Sequence, residues 1–214
     1  MPSPTPSQLT VLTHPLVQHK IALLRDRGTS TRDFKELVAE LGMFLAYEGT
    51  RDVPTTEITV ETPLERTTGR QVDGKSIVLV PILRAGLGLV EGITRLLPTA
   101  RVGHIGLYRD HDTLAPHQYY MKLPPAGPAA RWLVLDPMLA TGGSAVAAVQ
   151  KLKEAGAKDI RFLCLVAAPE GVAALSAAHP DVPIIAAALD RQLNAQGYIL
   201  PGLGDAGDRL FGTT

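Results

Sequence analysis

Residues 133–145 read Leu-Val-Leu-Asp-Pro-Met-Leu-Ala-Thr-Gly-Gly-Ser-Ala. An apolar run ends in an acid, and a glycine pair flanked by hydroxyls follows before an alanine-rich segment. That order suits the capture of a phosphate. Backbone N–H groups of Ala140, Thr141, Gly142, Gly143 and Ser144 would gather at a helix start, where unpaired amides and the helix dipole favour an anion. The glycines let the backbone wrap closely, and Thr141 and Ser144 add hydroxyl donors. Asp136, when ionised, only accepts hydrogen bonds, which suits sugar hydroxyls beside the phosphate. The plainer reading is a helix cap from Thr141 or Ser144, with glycines for the turn. A second candidate follows the apolar run Ser76–Leu83. There Arg84 is able to fork onto phosphate oxygens, and small Ala85 and Gly86 admit a close backbone approach. Its plainer reading is a surface ion pair.

Two further glycine patterns fail on context. Gly69–Ser76 (GRQVDGKS) matches G-x-x-x-x-G-K-[ST] literally, but a phosphate-binding P-loop follows a strand and opens a helix. Here the β-rich run Ile77–Val80 comes next. Gly202–Gly207 (GLGDAG) matches G-x-G-x-x-G, yet a dinucleotide fold needs a helix and about 20 further residues to its acidic ribose contact. Too little chain follows Gly207.

The elements that would position these residues come from periodicity. Leu16–Arg27 and Ser30–Glu48 carry apolar residues at helical spacing. Thr56–Glu61 alternates like a strand, and a turn-rich stretch then runs through Asp73-Gly74. From Ser76 onward, strands and helices alternate. Strands are expected at Ser76–Leu83, Arg101–Leu107, Arg131–Leu135, Ile160–Ala168 and Val182–Ala187, and helices at Leu87–Leu97, Gly143–Ala155 and Pro169–Ala178. Asp110–Pro125 reads as an excursion or hairpin. Continuous Val/Ile/Leu runs fit strands covered on both faces. Strand–helix alternation implies an α/β fold with a central parallel sheet. Ligands of such sheets bind outside the carboxyl ends of the strands, where Arg84, Asp136 and the 140–144 loop lie.

The 214 residues fit one domain, with residues 1–10, rich in Pro, Ser and Thr, as a flexible leader. Twenty-one basic and 21 acidic side chains balance to zero, which argues against a nucleic-acid partner. No apolar run is long enough to span a bilayer, so no membrane partner is expected. The single cysteine, Cys164, fits a reducing compartment and a cytoplasmic protein, and its apolar surroundings read as core.

The 133–145 loop resembles the 5-phosphoribosyl-1-diphosphate (PRPP) motif of the type I phosphoribosyltransferases. Most members carry two adjacent acids there; this chain has Asp136 followed by Pro137, a pattern similar to the uracil-specific branch. His14–Val17, Val80–Gly88 (VPILRAGLG), Tyr108-Arg109-Asp110, Val166–Gly171 (VAAPEG), Gly197–Gly207 (GYILPGLGDAG) and Phe211–Thr213 agree with that branch. The resemblance covers about Val11 to Thr214.

The resemblance implies a type I phosphoribosyltransferase-like fold: a parallel sheet flanked by helices, a flap at 110–122 and a C-terminal base-binding hood at 188–214. The reaction implied is uracil plus PRPP giving UMP and diphosphate. Arg84, Ala85 and Gly86 would bind diphosphate in a loop with a cis peptide, joined by Arg109 from the flap. Asp136, Pro137, Met138, Leu139, Ala140, Thr141, Gly142, Gly143 and Ser144 would bind the ribose and its 5′-phosphate. Ile199, Gly204, Asp205 and Ala206 would read uracil, largely through the backbone. Asp205 would also face PRPP and its Mg²⁺, which is held mainly by substrate phosphates, and it is the candidate acceptor of the uracil N1 proton. His111, His117, Tyr119 and Tyr120 read as flap or interface residues. The family further implies a homodimer or higher homo-oligomer and, in some members, a GTP effector; the basic N-terminal helices are where one would look for it. The alternatives are another type I phosphoribosyltransferase, for orotate or a purine, and a nucleotide-sensing regulator on the same fold.

Overall fold

Seven residues, Ile77–Leu83, form strand β4 and are almost entirely buried. Their neighbours explain why no polar alternation appears. In the computed structural model, which describes residues 8–109 and 116–213, β4 lies beside β8 (Arg131–Leu135), and β10 (Asp159–Ala167) lies beyond β8. Among the described residues nine strands make one sheet. Its order is β1 (Leu9–Val11), β11 (Ile184–Leu189), β10, β8, β4, β6 (His104–Arg109), β7 (Pro116–Lys122). Two-residue strands β5 (Arg101–Val102) and β9 (Met138–Leu139) pair with β4 and β10. All pairs are parallel except β6–β7, which is antiparallel.

Successive strand residues face opposite layers. Ile77, Leu79, Leu133, Leu135, Leu163 and Leu165 pack with α1 (Pro15–Arg25), α2 (Thr31–Gly49) and α3 (Leu87–Leu96). Val78, Val80, Val134, Phe162 and Cys164 pack on the other face with α4 (Gly143–Glu154) and α5 (Pro169–Ala178). Helix α2 begins at Ser30, whose hydroxyl accepts the Asp33 N–H at 3.1 Å. It crosses α3 so closely that a Cβ on Gly92 would collide with the Ala39 backbone.

The helices and parallel strands lie within a few residues of their expected positions. Two elements differ. Arg66–Val72 is a strand, β3, paired over seven residues with β2 (Thr55–Glu61). Its residues are exposed on both faces apart from half-buried Gly69, so no alternation marks it. Leu9–Val11, partly inside the expected flexible leader, pairs in parallel with β11. The GRQVDGKS match runs through β3 and a single 3-10 turn (Gly74–Ser76) into β4, with no helix.

At the amino ends of β8 and β10, Arg131 joins Asp52 and Asp159, and Arg161 joins Asp52. The Arg161 and Arg131 guanidiniums, outweighing partial burial, hold the Asp52 carboxyl down to about 2. This cluster sits at the opposite end of the strands from the loops described next.

Candidate active site

The carboxyl ends of β4, β6, β8 and β11 line up along one edge of the sheet. Pro81 pairs with Leu135, so the chain leaves β4 and β8 side by side, into Arg84-Ala85-Gly86 and into Asp136. The Leu83–Arg84 peptide is cis, as the resemblance implies. A Cβ on Gly86 would collide with the Leu135 carbonyl oxygen and the Ile82 backbone, which fixes one loop against the root of the other. Arg84 is mostly exposed, 4.0 Å from Asp208, and its guanidinium carbon is 5.9 Å from the Phe211 ring centroid.

After β8 the loop is stitched to β10. The Pro137 carbonyl accepts the Leu165 and Val166 N–H groups, each at 3.1 Å. Met138 and Leu139 form β9, and the Leu139 carbonyl accepts the Ala168 N–H at 2.9 Å. Pro137 and Leu139 are buried, so they set the loop's position and offer no side chain to a ligand. Gly142 is the N-cap of α4 in the left-handed region, φ 83°. The N-cap position is thus a glycine, and neither Thr141 nor Ser144 occupies it. The helix starts at the carboxyl-end edge of the sheet, and its first-turn amides have no intrahelical acceptor. Helix α3, which opens beside Arg84, lacks a side-chain cap at Gly86. Gly171, in the first turn of α5, supports the loop from behind: a Cβ there would collide with the Leu139 and Ala140 carbonyl oxygens.

Asp136 is half-buried, with its carboxyl closely surrounded by protein. Burial pushes that carboxyl up to about 7, and the single N–H of Met138, 3.3 Å away, pulls the other way. An acid titrating near 4 in the unfolded chain and near 7 in the fold binds more protons when folded. Its contribution to stability is therefore full below about pH 4 and lost as pH rises toward 7. Asp136→Asn is expected to melt higher than the parent at pH 8 and alongside it at about pH 3, below the unfolded-state pKa, by calorimetry without ligand. Equal melting points at pH 8 would refute the shift. Cys164, near Asp136, is fully buried, and burial first, then the Asp136 charge, pushes its thiol up.

The chain after β11 supplies the last wall. β12 (Gln192–Leu193) and β13 (Ile199–Leu200) form a small antiparallel pair, the Leu200–Pro201 peptide is cis, and the chain turns through Gly202 and Gly204 at φ 64° and 79°. It ends in α6 (Ala206–Phe211), whose N-cap Asp205 accepts the Asp208 N–H at 2.9 Å. GLGDAG is thus a turn and a cap. Ile199 and Ala206 are buried; Gly204 and Asp205 are exposed. This C-terminal segment meets both the 84–86 loop and the 140–144 loop. A Cβ on Gly207 would stand 4.0 Å from that of Ala85, and a Cβ on Gly197 would stand 3.7 Å from the Thr141 methyl. Sequence reasoning missed the Glu170 carboxylate, which accepts the Leu193 N–H at 3.0 Å and ties the hood to α5.

Arg109 ends β6 at the same edge, next to β4. Antiparallel β6–β7 confirms the hairpin, and Tyr108 stacks on His117 with centroids 5.7 Å apart. His111 and the rest of 110–115 lie outside the described residues. A separate cleft of about 750 Å³, lined by Val11, His14, Phe44 and Tyr47 among others, shares no residue with these loops.

A mostly parallel sheet flanked by helices on both faces, with these loops gathered along one edge, has the fold of the type I phosphoribosyltransferases. Adenine phosphoribosyl transferase from Trypanosoma brucei shares this fold at a TM-score of 0.56 and 14% identity, over 93% of this chain and 89% of that one. The family model for uracil phosphoribosyltransferase matches residues 11–213, and the chain belongs to that family. It is 58% identical to uracil phosphoribosyltransferase of Pediococcus pentosaceus, over 95% of this chain and 97% of the relative. It is 57% identical to that of Lactococcus lactis subsp. cremoris MG1363, over 97% and 99%. The solved AQ2163 protein from Aquifex aeolicus superposes at a TM-score of 0.91 with 37% identity, over 96% of this chain and 99% of that one. Family and fold together make the chain a pentosyltransferase with uracil phosphoribosyltransferase activity.

Proposed function

We propose that the loops divide the transfer of a 5-phosphoribosyl group from PRPP to uracil as follows. The amides of residues 140–144 hold the 5′-phosphate, and Asp136 accepts from the ribose hydroxyls. Arg84, Ala85, Gly86 and Arg109 hold the diphosphate. The observation that carries this reading is the approach of the hood to both phosphate loops, at Gly207–Ala85 and Gly197–Thr141. That proximity supports a base site beside both ends of one sugar phosphate.

As diphosphate leaves, C1 of the ribose gains oxocarbenium character, and the guanidiniums of Arg84 and Arg109 stabilise the departing charge. Orientation supplies much of the rest, because sugar and base are held in line. Backbone groups of Ile199, Gly204 and Ala206 match the O4, N3 and O2 pattern of uracil. Cytosine would set its exocyclic amine against a backbone N–H and leave both unpaired. Asp205 stands as the acceptor of the N1 proton, its carboxylate oriented by the Asp208 N–H.

Among the described residues no three His, Cys, Asp or Glu side chains gather as a metal cage. In this reading Mg²⁺ arrives with PRPP, and Asp205 reaches it directly or through water. When bound, the ion neutralises diphosphate charge. A homodimer or larger assembly belongs to the same reading; the β2–β3 hairpin, exposed on both faces, is of a kind rarely stable unsupported. A cytoplasmic setting rests on the lone buried cysteine. No helix among the described residues is long and apolar enough to cross a membrane.

Incubation with PRPP, Mg²⁺ and uracil, cytosine, orotate or hypoxanthine tests the reading. UMP and diphosphate are expected from uracil alone. No turnover of uracil would overturn it, and turnover of orotate or hypoxanthine instead would favour another branch of the class.

A further inference from the structure

Two guanidinium groups clasp the end of α1 to the base loop, one reaching out from each side. Arg25, the last residue of α1, forms a bidentate pair with Asp190, Nη1 to Oδ2 at 2.7 Å and Nη2 to Oδ1 at 2.5 Å. Its Nη1 also donates to the Gly202 carbonyl at 2.7 Å, while Asp190 Oδ2 accepts the Gly202 N–H at 2.8 Å. Both backbone polar groups of Gly202 are thus held by one ion pair. The Asp190 side chain is only 4% exposed, and the Asp190 N–H donates to the Ala167 carbonyl at 2.8 Å, so this anchor is rooted in the sheet. In return, Arg209 of the hood donates to the Leu24 and Asp26 carbonyls and to its own loop at Leu203, at 2.6–2.8 Å. Its guanidinium lies 4.3 Å from the Phe34 ring centroid, a cation–π contact.

We propose that Arg25, through Asp190 and Gly202, is a specificity-determining positioning residue for the base. The inference rests on the hood being the uracil site. Ile199, Gly204 and Ala206 recognise the base by backbone, and a backbone group cannot re-aim itself as a side chain can. Its aim is set where the loop is pinned. One pin is Gly202, whose left-handed turn folds back so tightly that a Cβ would collide with the Ile199 carbonyl oxygen. A second is the Leu203 carbonyl, held by Arg209. Arg25, through Asp190 and Gly202, therefore sets the Ile199 side of the base, while Arg209, through Leu203, holds the Gly204–Ala206 side. No phosphate-binding residue takes part in the Arg25–Asp190–Gly202 contacts, so PRPP affinity is separable from them.

The test compares Arg25→Met and Arg25→Lys with the parent enzyme, together with the double variant Arg25→Met/Asp190→Asn. The double variant leaves no lone buried charge, which otherwise destabilises strongly. For Arg25→Met and the double variant, the KM for uracil is expected to rise at least ~10-fold, since misplacement by about 1 Å is that damaging. The KM for PRPP should stay within about twofold, and cytosine should become a relatively better competitor of uracil. Arg25→Lys, which keeps the charge but not the fork, should fall between. An unchanged uracil KM in a folded variant, or both KM values rising together, would overturn the proposal while leaving the parent's activity intact. Failure of the parent to convert uracil would overturn the uracil reading and the clasp's role with it.

Discussion

Arg84→Ala is expected to lower kcat/KM by ~100-fold or more, on the scale of losing one preorganised charge partner of a transition state, with the melting temperature almost unchanged. Both halves follow from where the side chain sits. It is 60% exposed, and its acidic neighbour Asp208 is at the 4.0 Å limit of an ion pair. Exposed pairs of that geometry contribute little to folding. The Phe211 ring at 5.9 Å is a contact of the same modest kind. Yet Arg84 leaves a loop whose backbone is packed into the sheet at Gly86, beside an uncapped helix start. Among the described residues, the contacts with Asp208 and Phe211 do not consume its five donors fully, so they remain for an anion. The leaving diphosphate gains charge as the C1–O bond breaks, and removing the guanidinium exposes that gain to water. Arg84→Lys retains a point charge without the fork and should recover part of the rate. Steady-state kinetics with melting curves on the same samples decide the matter. Activity within about fivefold of the parent would remove Arg84 from the diphosphate site, since loss of one such charge partner reaches 10²–10³.

The residues that contact substrates in this reading announce themselves in the sequence because their chemistry is local. A glycine pair, two hydroxyls and an acid within nine positions of a strand end are one loop whatever surrounds them. The strands are visible for a related reason: β4, β8 and β10 are covered on both faces, so Val, Ile and Leu run without interruption. What stays hidden is whatever depends on distant partners. β1 acquires its identity from β11, more than 170 residues away. β3 is held by β2 through backbone bonds that leave no hydrophobic pattern. Arg25 and Asp190 are 165 positions apart, and an arginine ending an amphipathic helix looks like an ordinary dipole partner. Arg209 is equally plain until its carbonyl partners appear in α1. The one available hint was the buried setting of Asp190, just after the apolar run of β11, where an acid needs a partner. The loop proposed to hold phosphate is readable in the sequence; the contacts proposed to aim the base loop are not.

That division can be probed at Gly171, which no substrate touches in this reading. Gly171→Ala is expected to raise the KM for PRPP at least ~10-fold, because a displacement near 1 Å in a positioned loop has effects of that size. The added methyl would meet the carbonyl oxygens of Leu139 and Ala140, and both are backbone, so no side chain can swing away. Either α5 backs off or the loop carrying Ala140 and Thr141 moves toward the mouth. Leu139 is locked to Ala168 and paired in β9, so the movement falls on Ala140 onward, among the amides proposed to hold the 5′-phosphate. Overpacking of this kind also destabilises, typically by ~1–3 kcal/mol, so kinetics must be taken well below the melting transition. Gly127→Ala is the control: nothing lies within 4 Å of its Cβ position, and neither KM nor stability should change. The uracil KM should move less than that of PRPP, since even a Cβ added at Gly197 would stand 3.7 Å from the Thr141 methyl, ordinary van der Waals range. A Gly171→Ala enzyme with the parent's KM for PRPP would show that the loop is not held from behind by α5, and that its shape comes from the β9 pairing alone.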